Sequence, residues 1–448
     1  MRTTGPSRRA VSCRSRDAWR IISGVMAPRA PSAAPDPFCA DTGGAAPVAS
    51  AELVLVSSGP GEVSNWAVPM ARDAAAWAEE RGVPLVLSLV LPPCQFASGQ
   101  EIPYARRQGP FARILGPRAC LAVVAGIRRL PVSGPGCVLH LGGDLWYTTT
   151  LAGRLGFPAF AYVETALVRR RAHRFQRIFL PSQDLADALA AVRVPRDRMA
   201  VVGDLRVDHL ASYRDLANAS RRGARVALLP GSRGWIVEGM LPFLLETASA
   251  MRAERGQIRF SVIASPFLAP DALARMLAPH RARLAALEID VVQDDRLRAL
   301  AGCELAITVP GTNTVELAIL GVPMLVVLPL DRPGRIRTEG MSEWISRLPG
   351  LGTAVKTAMA WRFARRHQFV AWPNREAGRE VVPELVGHIA PADVSCRALE
   401  LLADGTCLDR TAGELRGLYA TPPGVARRML EEMAPFLSLT PGRRAALA

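Results

Sequence analysis

Short apolar runs that end in glycine-rich turns recur along this chain, and they constrain its fold more than any other feature. Residues 52–57 run into Ser58-Gly59-Pro60-Gly61, and an alanine-rich helical pattern follows up to Arg81. Further runs of this kind lie at 85–91, 137–141 and 159–163. Strands that alternate with helices predict a parallel sheet with helices on both faces.

The same alternation restarts after a polar segment at residues 213–225, which we interpret as a linker. Val226-Ala227-Leu228-Leu229-Pro230 begins the second series. A chain of 448 residues is too long for one core. The fold class that we predict is therefore α/β, with two doubly wound Rossmann-like domains and a ligand cleft between them. The predicted bounds are a disordered extension at 1–50, domains at 51–215 and 223–412, and a helical tail at 413–448.

Composition narrows the class of protein. Apolar residues make up 49% of the chain and charged residues 21%, which indicates a globular protein. The net charge of +15 favours anionic partners such as nucleotides or acidic lipids. The basic residues are dispersed and no recognition motif accompanies them, so nucleic-acid binding is not predicted. The eight cysteines lack metal-ligand spacing, which predicts reduced thiols, a cytoplasmic protein and no metal or cofactor.

The strongest local signal is the turn Pro310-Gly311-Thr312-Asn313, which links a strand to a helix that carries Glu316 in its first turn. Glycine lets a ligand approach the backbone, and the amides at a helix start form a ready phosphate site. A carboxylate one turn later can bind two ribose hydroxyls. The alternative is an ordinary helix start with an acid that favours the helix dipole.

Two further segments combine turn residues with clustered polar groups. Pro230-Gly231-Ser232-Arg233 is again a strand, a small loop and a helix start, where a guanidinium can contact a pyrophosphate. Residues 372–385 combine Asn374 and Glu384 with turn residues before what we predict to be an apolar helix. A solvated arginine in a plain turn and a charged surface loop are the alternatives.

In the first predicted domain, two carboxylates come soon after strands, and we expect both to face the cleft. Glu62 lies in the loop Gly59-Pro60-Gly61-Glu62-Val63-Ser64, and Asp144 follows Gly142-Gly143. Either could remove a proton from an acceptor hydroxyl, with Gly61 and Ser64 on the acceptor side. The alternative for Glu62 is a carboxylate that favours a helix start.

Together these segments resemble lipid-A-disaccharide synthase and related glycosyltransferases of the GT-B fold. Leu228-Leu229-Pro230-Gly231-Ser232-Arg233 is similar to the family's LLPGSR, and Pro310–Met324 is similar to its S-G-T-A-x-x-E…P-M segment. Residues 373–385 resemble P-N-x-x-A-G-R-E…E-L, and residues 61–64 resemble the start of G-E-x-S-G-D. Gly203 and Asp208 echo G-H-x-x-x-D.

The resemblance implies an inverting glycosyltransferase that moves an N-acetylglucosamine-type sugar from a uridine diphosphate (UDP) sugar to a lipid-linked acceptor. The nucleotide would lie among these residues: Arg233, Gly311, Thr312, Asn313, Glu316, Asn374 and Glu384. The acceptor half departs from the family, because Asn65-Trp66 stands where Gly-Asp is expected and Tyr162-Val163-Glu164-Thr165 replaces an aromatic S-x-W-A-W stretch. A UDP-sugar epimerase and a non-catalytic nucleotide-sugar-binding relative are the alternative functions.

Residues 358–369 alternate basic and bulky apolar side chains. An amphipathic surface of this kind can rest on an anionic membrane, or it can pack its aromatic residues on its own domain. No stretch approaches the ~18 apolar residues of a membrane-spanning helix, and no secretory signal is recognised. We therefore expect a cytoplasmic protein with peripheral contact at the inner face of the membrane. The sequence leaves the oligomeric state open.

Overall fold

A computed structural model describes residues 50–220, 224–330 and 368–438, with side chains of 215–220 excluded. The sequence-based prediction for residues 358–369 lies almost wholly outside these ranges. Among the described helices, none is long and apolar enough to cross a membrane. The two predicted parallel sheets are both present, which confirms the α/β class with two doubly wound Rossmann-like units.

The N-terminal sheet of the described chain has seven strands in the order β3-β2-β1-β4-β5-β6-β7, and neighbouring strands are parallel. Its strands are β1 (Ala51–Val56), β2 (Leu85–Val90), β3 (Arg113–Leu115), β4 (Gly136–His140), β5 (Ala159–Tyr162), β6 (Arg177–Leu180) and β7 (Met199–Val201). The strand order reverses between β1 and β4, and this is the point where ligands bind in such sheets.

The helices around this sheet are α1 (Pro60–Glu62), α2 (Val68–Glu80), α3 (Glu101–Gln108), α4 (Pro117–Val124), α5 (Leu145–Leu155), α6 (Gln183–Ala191) and α7 (Arg206–Ser220). A π-helical turn, Val63–Ala67, joins α1 to α2. The predicted linker was partly wrong, because α7 runs through Tyr213 and packs on the second unit. Val207 and Leu210 are buried in that unit's core, which holds the helix in place.

The C-terminal sheet has six strands in the order β10-β9-β8-β11-β12-β13. They are β8 (Arg225–Leu229), β9 (Arg259–Ile263), β10 (Asp290–Val292), β11 (Leu305–Thr308), β12 (Met324–Pro329) and β13 (Glu384–Gly387). The end of the segment 372–385 pairs with β12 as the edge strand β13, and the apolar helix expected after this segment begins at Pro391.

The helices of this part are α8 (Gly234–Glu254), α9 (Pro270–Leu277), α10 (Arg281–Ala286), α11 (Arg296–Ala301), α12 (Asn313–Leu320), α13 (Trp372–Ala377), α14 (Pro391–Ala403), α15 (Gly405–Leu418) and α16 (Val425–Leu437). The last of them returns to the N-terminal sheet. Met429, Leu430 and Met433 of α16 are fully buried in the core built on β1 and β4. Helix α16 therefore connects the C-terminal part of the chain to the N-terminal sheet.

Candidate functional site

The centre of the site is the helix α12, whose first turn carries Glu316. The Glu316 side chain is only 5% exposed, and both of its oxygens accept hydrogen bonds from Arg296 of α11, at 2.5 and 3.0 Å. Burial raises the pKa of Glu316. The positive charge and hydrogen bonds of Arg296, with a further hydrogen bond from Asn65, outweigh it and hold the pKa below its usual value. Glu316 is therefore an anion at neutral pH.

The loop before α12 packs against the N-terminal unit. A side-chain carbon added at Gly61 would lie 3.5 Å from Oγ1 of Thr312, so the two loops are in contact there. The amide of Asn65, in the π-helical turn, lowers the pKa of Glu316 across the same boundary. Tyr104 and Phe267 extend this boundary, with ring centroids 4.6 Å apart. The two sheets thus meet at the carboxyl ends of their strands, as expected for a cleft between such units.

Inside the turn, short side chains fold back on the backbone. Asn313 donates to the Thr308 hydroxyl and to the Val309 carbonyl, and the Thr314 hydroxyl donates to the Gly311 carbonyl at 2.8 Å. The Thr312 side chain lies at the N-terminus of α12 without capping it. This leaves the positive end of the helix dipole close to the cleft, where an anionic group is favoured.

Arg233 is the residue that precedes α8, at the end of β8. Its guanidinium lies 5.6 Å from the ring centroid of Phe96, which belongs to the N-terminal unit. β8 and β11 are neighbours in the sheet. Arg233 and the Pro310–Glu316 turn therefore follow adjacent strands, at the point where the strand order reverses.

Asn374 and Glu384 were predicted to lie around the nucleotide, and the structure gives both of them internal partners. Asn374 is fully buried; it accepts from the amides of Val381 and Val382 and donates to Glu384 and to the Val382 carbonyl. Glu384 also accepts from the amides of Val370 and Ala371 at 2.9 and 2.8 Å. This network fixes the segment that begins α13, whose Trp372 amide donates to Thr314 of α12.

The two candidate bases lie in different environments. Glu62 is half-buried, and its side chain lies against Gly59 and Gly142. Burial raises the pKa of Glu62, and the negative charge of Glu101 adds to the rise. Asp144 is exposed, and its Oδ1 accepts from the Trp146 amide at 2.8 Å as the N-cap of α5. Ser64 is buried, and its hydroxyl donates to the Gly61 carbonyl.

A second charged cluster, which the sequence did not reveal, lies beside the carboxyl ends of β5 and β7. Arg206 donates to both oxygens of Asp204 and to Glu164, with a shortest contact of 2.5 Å to Glu164. Burial raises the pKa of Glu164 to about 7, against the lowering effect of Arg206, and the charges of Asp204, Glu376 and Glu62 add to the rise. Glu164 was noted only as a departure from the family pattern.

A small polar cavity of about 90 Å³ adjoins the Arg296–Glu316 pair. Residues from both units line it, among them Ser64, Tyr104, His209, Gln293 and Arg296. Burial and then the positive charges of Arg296 and Arg72 lower the pKa of His209 to about 4, so the ring is neutral at pH 7. No sequence signal marked Arg296 or His209, because single basic residues carry little information in an arginine-rich chain.

Within the described ranges, no group of three or more histidine, cysteine, aspartate or glutamate side chains is arranged to hold a metal ion. The buried thiols of Cys120 and Cys303 have pKa values raised by burial to about 11 and about 12. The charged groups that face the cleft are thus arginines and carboxylates. They can bind anions and hydroxyl groups and can exchange protons.

Comparison with known proteins finds relatives that match part of the chain. A family model described as Lipid-A-disaccharide synthetase matches residues 208–331. The lipid-A-disaccharide synthase of Anaeromyxobacter sp. (strain K) is 28% identical over 225 residues, which are 50% of this chain and 52% of the relative. That of Geobacter metallireducens is 26% identical over 299 residues, which are 59% of this chain and 69% of the relative. The chain spans about half the length of the first curated relatives it matches.

Two solved structures are similar to most of the chain at low identity. MurG of Acinetobacter baumannii is 13% identical with a TM-score of 0.48, covering 86% of this chain and 99% of that one. A putative UDP-N-acetylglucosamine 2-epimerase from Listeria monocytogenes is 15% identical with a TM-score of 0.49, covering 88% and 98%. The fold assignment itself rests on the two parallel sheets. The family model and the curated relatives confirm that this chain resembles the lipid-A-disaccharide synthase family, in a region that contains both Arg233 and Glu316.

Proposed function

We propose that this protein is an inverting glycosyltransferase that moves a sugar from a UDP-sugar to a lipid-linked acceptor, in a reaction related to lipid A disaccharide synthesis. One observation carries the proposal: the helix start at Pro310–Glu316 lies in the region that matches the family model, and it faces the Glu62 loop across the cleft. The sugar that we propose is an N-acetylglucosamine-type unit, as the family resemblance implies.

The C-terminal unit would bind the donor. The positive end of α12 and the guanidinium of Arg233 suit a pyrophosphate, because both offer N–H groups to an anion. The Glu316 carboxylate suits a ribose hydroxyl, since it is ionised and buried beside the cleft. Asn374 and Glu384 would not contact the donor themselves. They would position the site by holding α13 against α12.

In the reaction, the oxygen of the acceptor hydroxyl forms a bond to the anomeric carbon while the bond from that carbon to the phosphate oxygen breaks. Attack from the face opposite the leaving UDP inverts the anomeric centre. The pyrophosphate takes the electron pair, and Arg233 with the helix amides stabilises the added negative charge. The acceptor proton passes to the carboxylate of Glu62.

We assign the base to Glu62 rather than Asp144. A general base works best when its pKa lies near the working pH, and burial moves the pKa of Glu62 in that direction. Asp144 already uses Oδ1 to cap α5 and lies in solvent. Gly61 and Ser64 would shape the acceptor side, since both lie in the loop that carries Glu62.

Peripheral contact with an anionic membrane at its cytoplasmic face is part of this proposal, because the acceptor is lipid-linked. Leu167 is 77% exposed in a short 3-10 helix that also carries the exposed Arg169 and Arg170. Apolar and basic side chains side by side suit an acidic lipid surface. Sedimentation with phosphatidylglycerol vesicles tests this part. Salt-sensitive binding that Arg169→Glu/Arg170→Glu abolishes would support it, and no binding at low salt would contradict it.

Turnover of UDP-sugars tests the donor assignment. We expect Arg233→Ala and Glu316→Ala to lose most of the UDP release that a lipid extract elicits from the wild type. Arg298→Ala is the matched control, because this arginine lies on α11 with 68% of its side chain exposed. Wild-type rates in both site variants would exclude the donor site. Sugar isomerisation without an acceptor would instead indicate an epimerase, and UDP binding without turnover a non-catalytic protein.

A further inference from the structure

Asn65 is a residue of the N-terminal unit that reaches the proposed donor site. It lies in the π-helical turn Val63–Ala67, directly after the loop that carries Glu62, and it is 4% exposed. Single π-helical turns are rare and occur often at functional sites. The side chain of Asn65 faces Glu316 of the other unit, where its amide helps to lower the pKa of that carboxyl.

The orientation of the Asn65 amide follows from this contact. A carboxylate only accepts hydrogen bonds, so the amide nitrogen must point to Glu316. The oxygen of the same amide, Oδ1, is buried and has no hydrogen-bond partner among the described residues. Native proteins supply a partner to nearly every buried acceptor, because an unpaired one is unfavourable.

Asn374 shows what a saturated buried asparagine looks like in this protein. Its oxygen accepts from two backbone amides, and its nitrogen donates to a carbonyl and to Glu384. Every hydrogen-bonding position that a structural asparagine needs is filled there. Asn65 differs from Asn374 in having an open acceptor, and that acceptor lies on the same planar group that faces Glu316.

The number of acceptor positions around Glu316 matters for a ribose. An ionised carboxylate has about four lone-pair positions. Arg296 occupies two of them, and the Asn65 amide faces the same carboxylate, so few remain for a ligand. A ribose presents two neighbouring hydroxyls, so the second needs another acceptor. Oδ1 of Asn65 is a buried acceptor next to Glu316 that is open.

We propose that Asn65 is a donor-binding residue contributed by the N-terminal unit, with Oδ1 accepting a hydrogen bond from a ribose hydroxyl of the UDP-sugar. This inference rests on the proposed function, in which Glu316 binds the other ribose hydroxyl. Because Asn65 and Glu316 belong to different units, a ribose held by both favours the closed cleft. Closure of this kind excludes water from the reacting bond.

The test is the binding of UDP, 2′-deoxy-UDP and 3′-deoxy-UDP to the full chain, measured by titration calorimetry. The wild type should bind UDP roughly threefold to tenfold more tightly than the analogue that lacks the hydroxyl bound by Asn65, which is the size of one neutral hydrogen bond. Asn65→Ala should lose this preference. Asn65→Asp keeps an oxygen acceptor, so it should retain the preference while binding all three nucleotides more weakly beside Glu316.

An unchanged preference for UDP in Asn65→Ala would overturn the inference and leave the proposed function intact, because it would mean that water or protein satisfies Oδ1. If Asn65→Ala fails to fold, Asn65→Gly makes the same deletion, and glycine stands at this position in the G-E-x-S-G-D loop. A wild type that binds no UDP would overturn the proposed function, and this inference with it. Arg298→Ala should match the wild type in all three titrations.

Discussion

Arg296 and Glu316 form a buried ion pair through two hydrogen bonds, and this pair lies at the centre of the candidate site. The Arg296 side chain is 14% exposed and that of Glu316 is 5% exposed. Paired donors of a guanidinium match the two oxygens of a carboxylate, which fixes both side chains. The pair connects α11 to α12 and so holds the start of α12 in the position that a nucleotide would need.

Removing one partner of this pair should lower the stability of the fold. Arg296→Ala would leave the Glu316 carboxylate buried and unpaired, and we expect it to lower the free energy of unfolding by about 3–5 kcal/mol. Arg298→Ala breaks only an exposed pair with Asp295, and a change of at most about 1 kcal/mol is expected. Urea unfolding at pH 7 measures both. Equal stabilities of the two variants would contradict the account of the pair.

The acid limb of the pH–rate profile should report Glu62. Its pKa is raised above the ordinary value near 4.5. The carboxylate form is the base, so activity should be low below this raised pKa and should increase as the pH passes through it. Glu62→Gln should remove this limb and slow transfer by about 10²–10⁴-fold. Asp144→Asn, which can still cap α5, should keep both the limb and the rate; the opposite result would assign the base to Asp144.

Asp208 should contribute to the attachment of α16. Its two oxygens accept from the amides of Gly424 and Ala426 at 2.7 and 2.8 Å, where α16 begins. Asp208→Ala should therefore lower stability by about 0.5–2 kcal/mol, as for the loss of an N-cap. It should also lower the pKa of Asp73, which burial and then the charge of Asp208 raise to about 6. A carboxyl titration by NMR that leaves Asp73 unchanged would contradict this arrangement.

Buried neutral histidines should make the fold sensitive to acid. Burial lowers the pKa of His140 to about 4. Its Nδ1 is hydrogen-bonded to the Thr148 hydroxyl at 2.8 Å. Its ordinary pKa is 6.5, so the unfolded chain takes up a proton more readily. This difference has no effect on the free energy of unfolding above pH 6.5, where both states are neutral. The free energy of unfolding then decreases as the pH falls from 6.5 towards 4. His140→Gln should flatten that part of the curve of stability against pH; an unchanged slope would exclude His140 as a cause.

The sequence predicted the fold well where the pattern is long and repeated. Strands β1, β4, β8 and β11 are apolar runs that end in glycine turns, and the parallel sheets follow from their alternation with helices. It failed at the boundary between the units, because residues 213–225 are polar and charged in sequence and resemble a linker. It also gave no sign that α16 returns to the first sheet, since a packing partner so distant in sequence leaves no local pattern.

Within the candidate site, the sequence located loops better than contacts. Arg233 and Glu316 were predicted to lie around one nucleotide, and the structure places their two turns after adjacent strands. The partners of Glu316 were not predicted. Arg296 lies twenty residues before Glu316, and Asn65 lies in the other unit, so only the folded chain brings their side chains together.

The most direct test of the central claim is mass spectrometry of lipid extracts incubated with the purified protein and UDP-N-acetylglucosamine. We expect a lipid that gains the mass of one sugar residue, release of one UDP per sugar transferred, and loss of both signals in Glu316→Ala but not in Arg298→Ala. A lipid profile that is identical with and without the active protein, across a panel of UDP-sugars that it binds, would contradict the account.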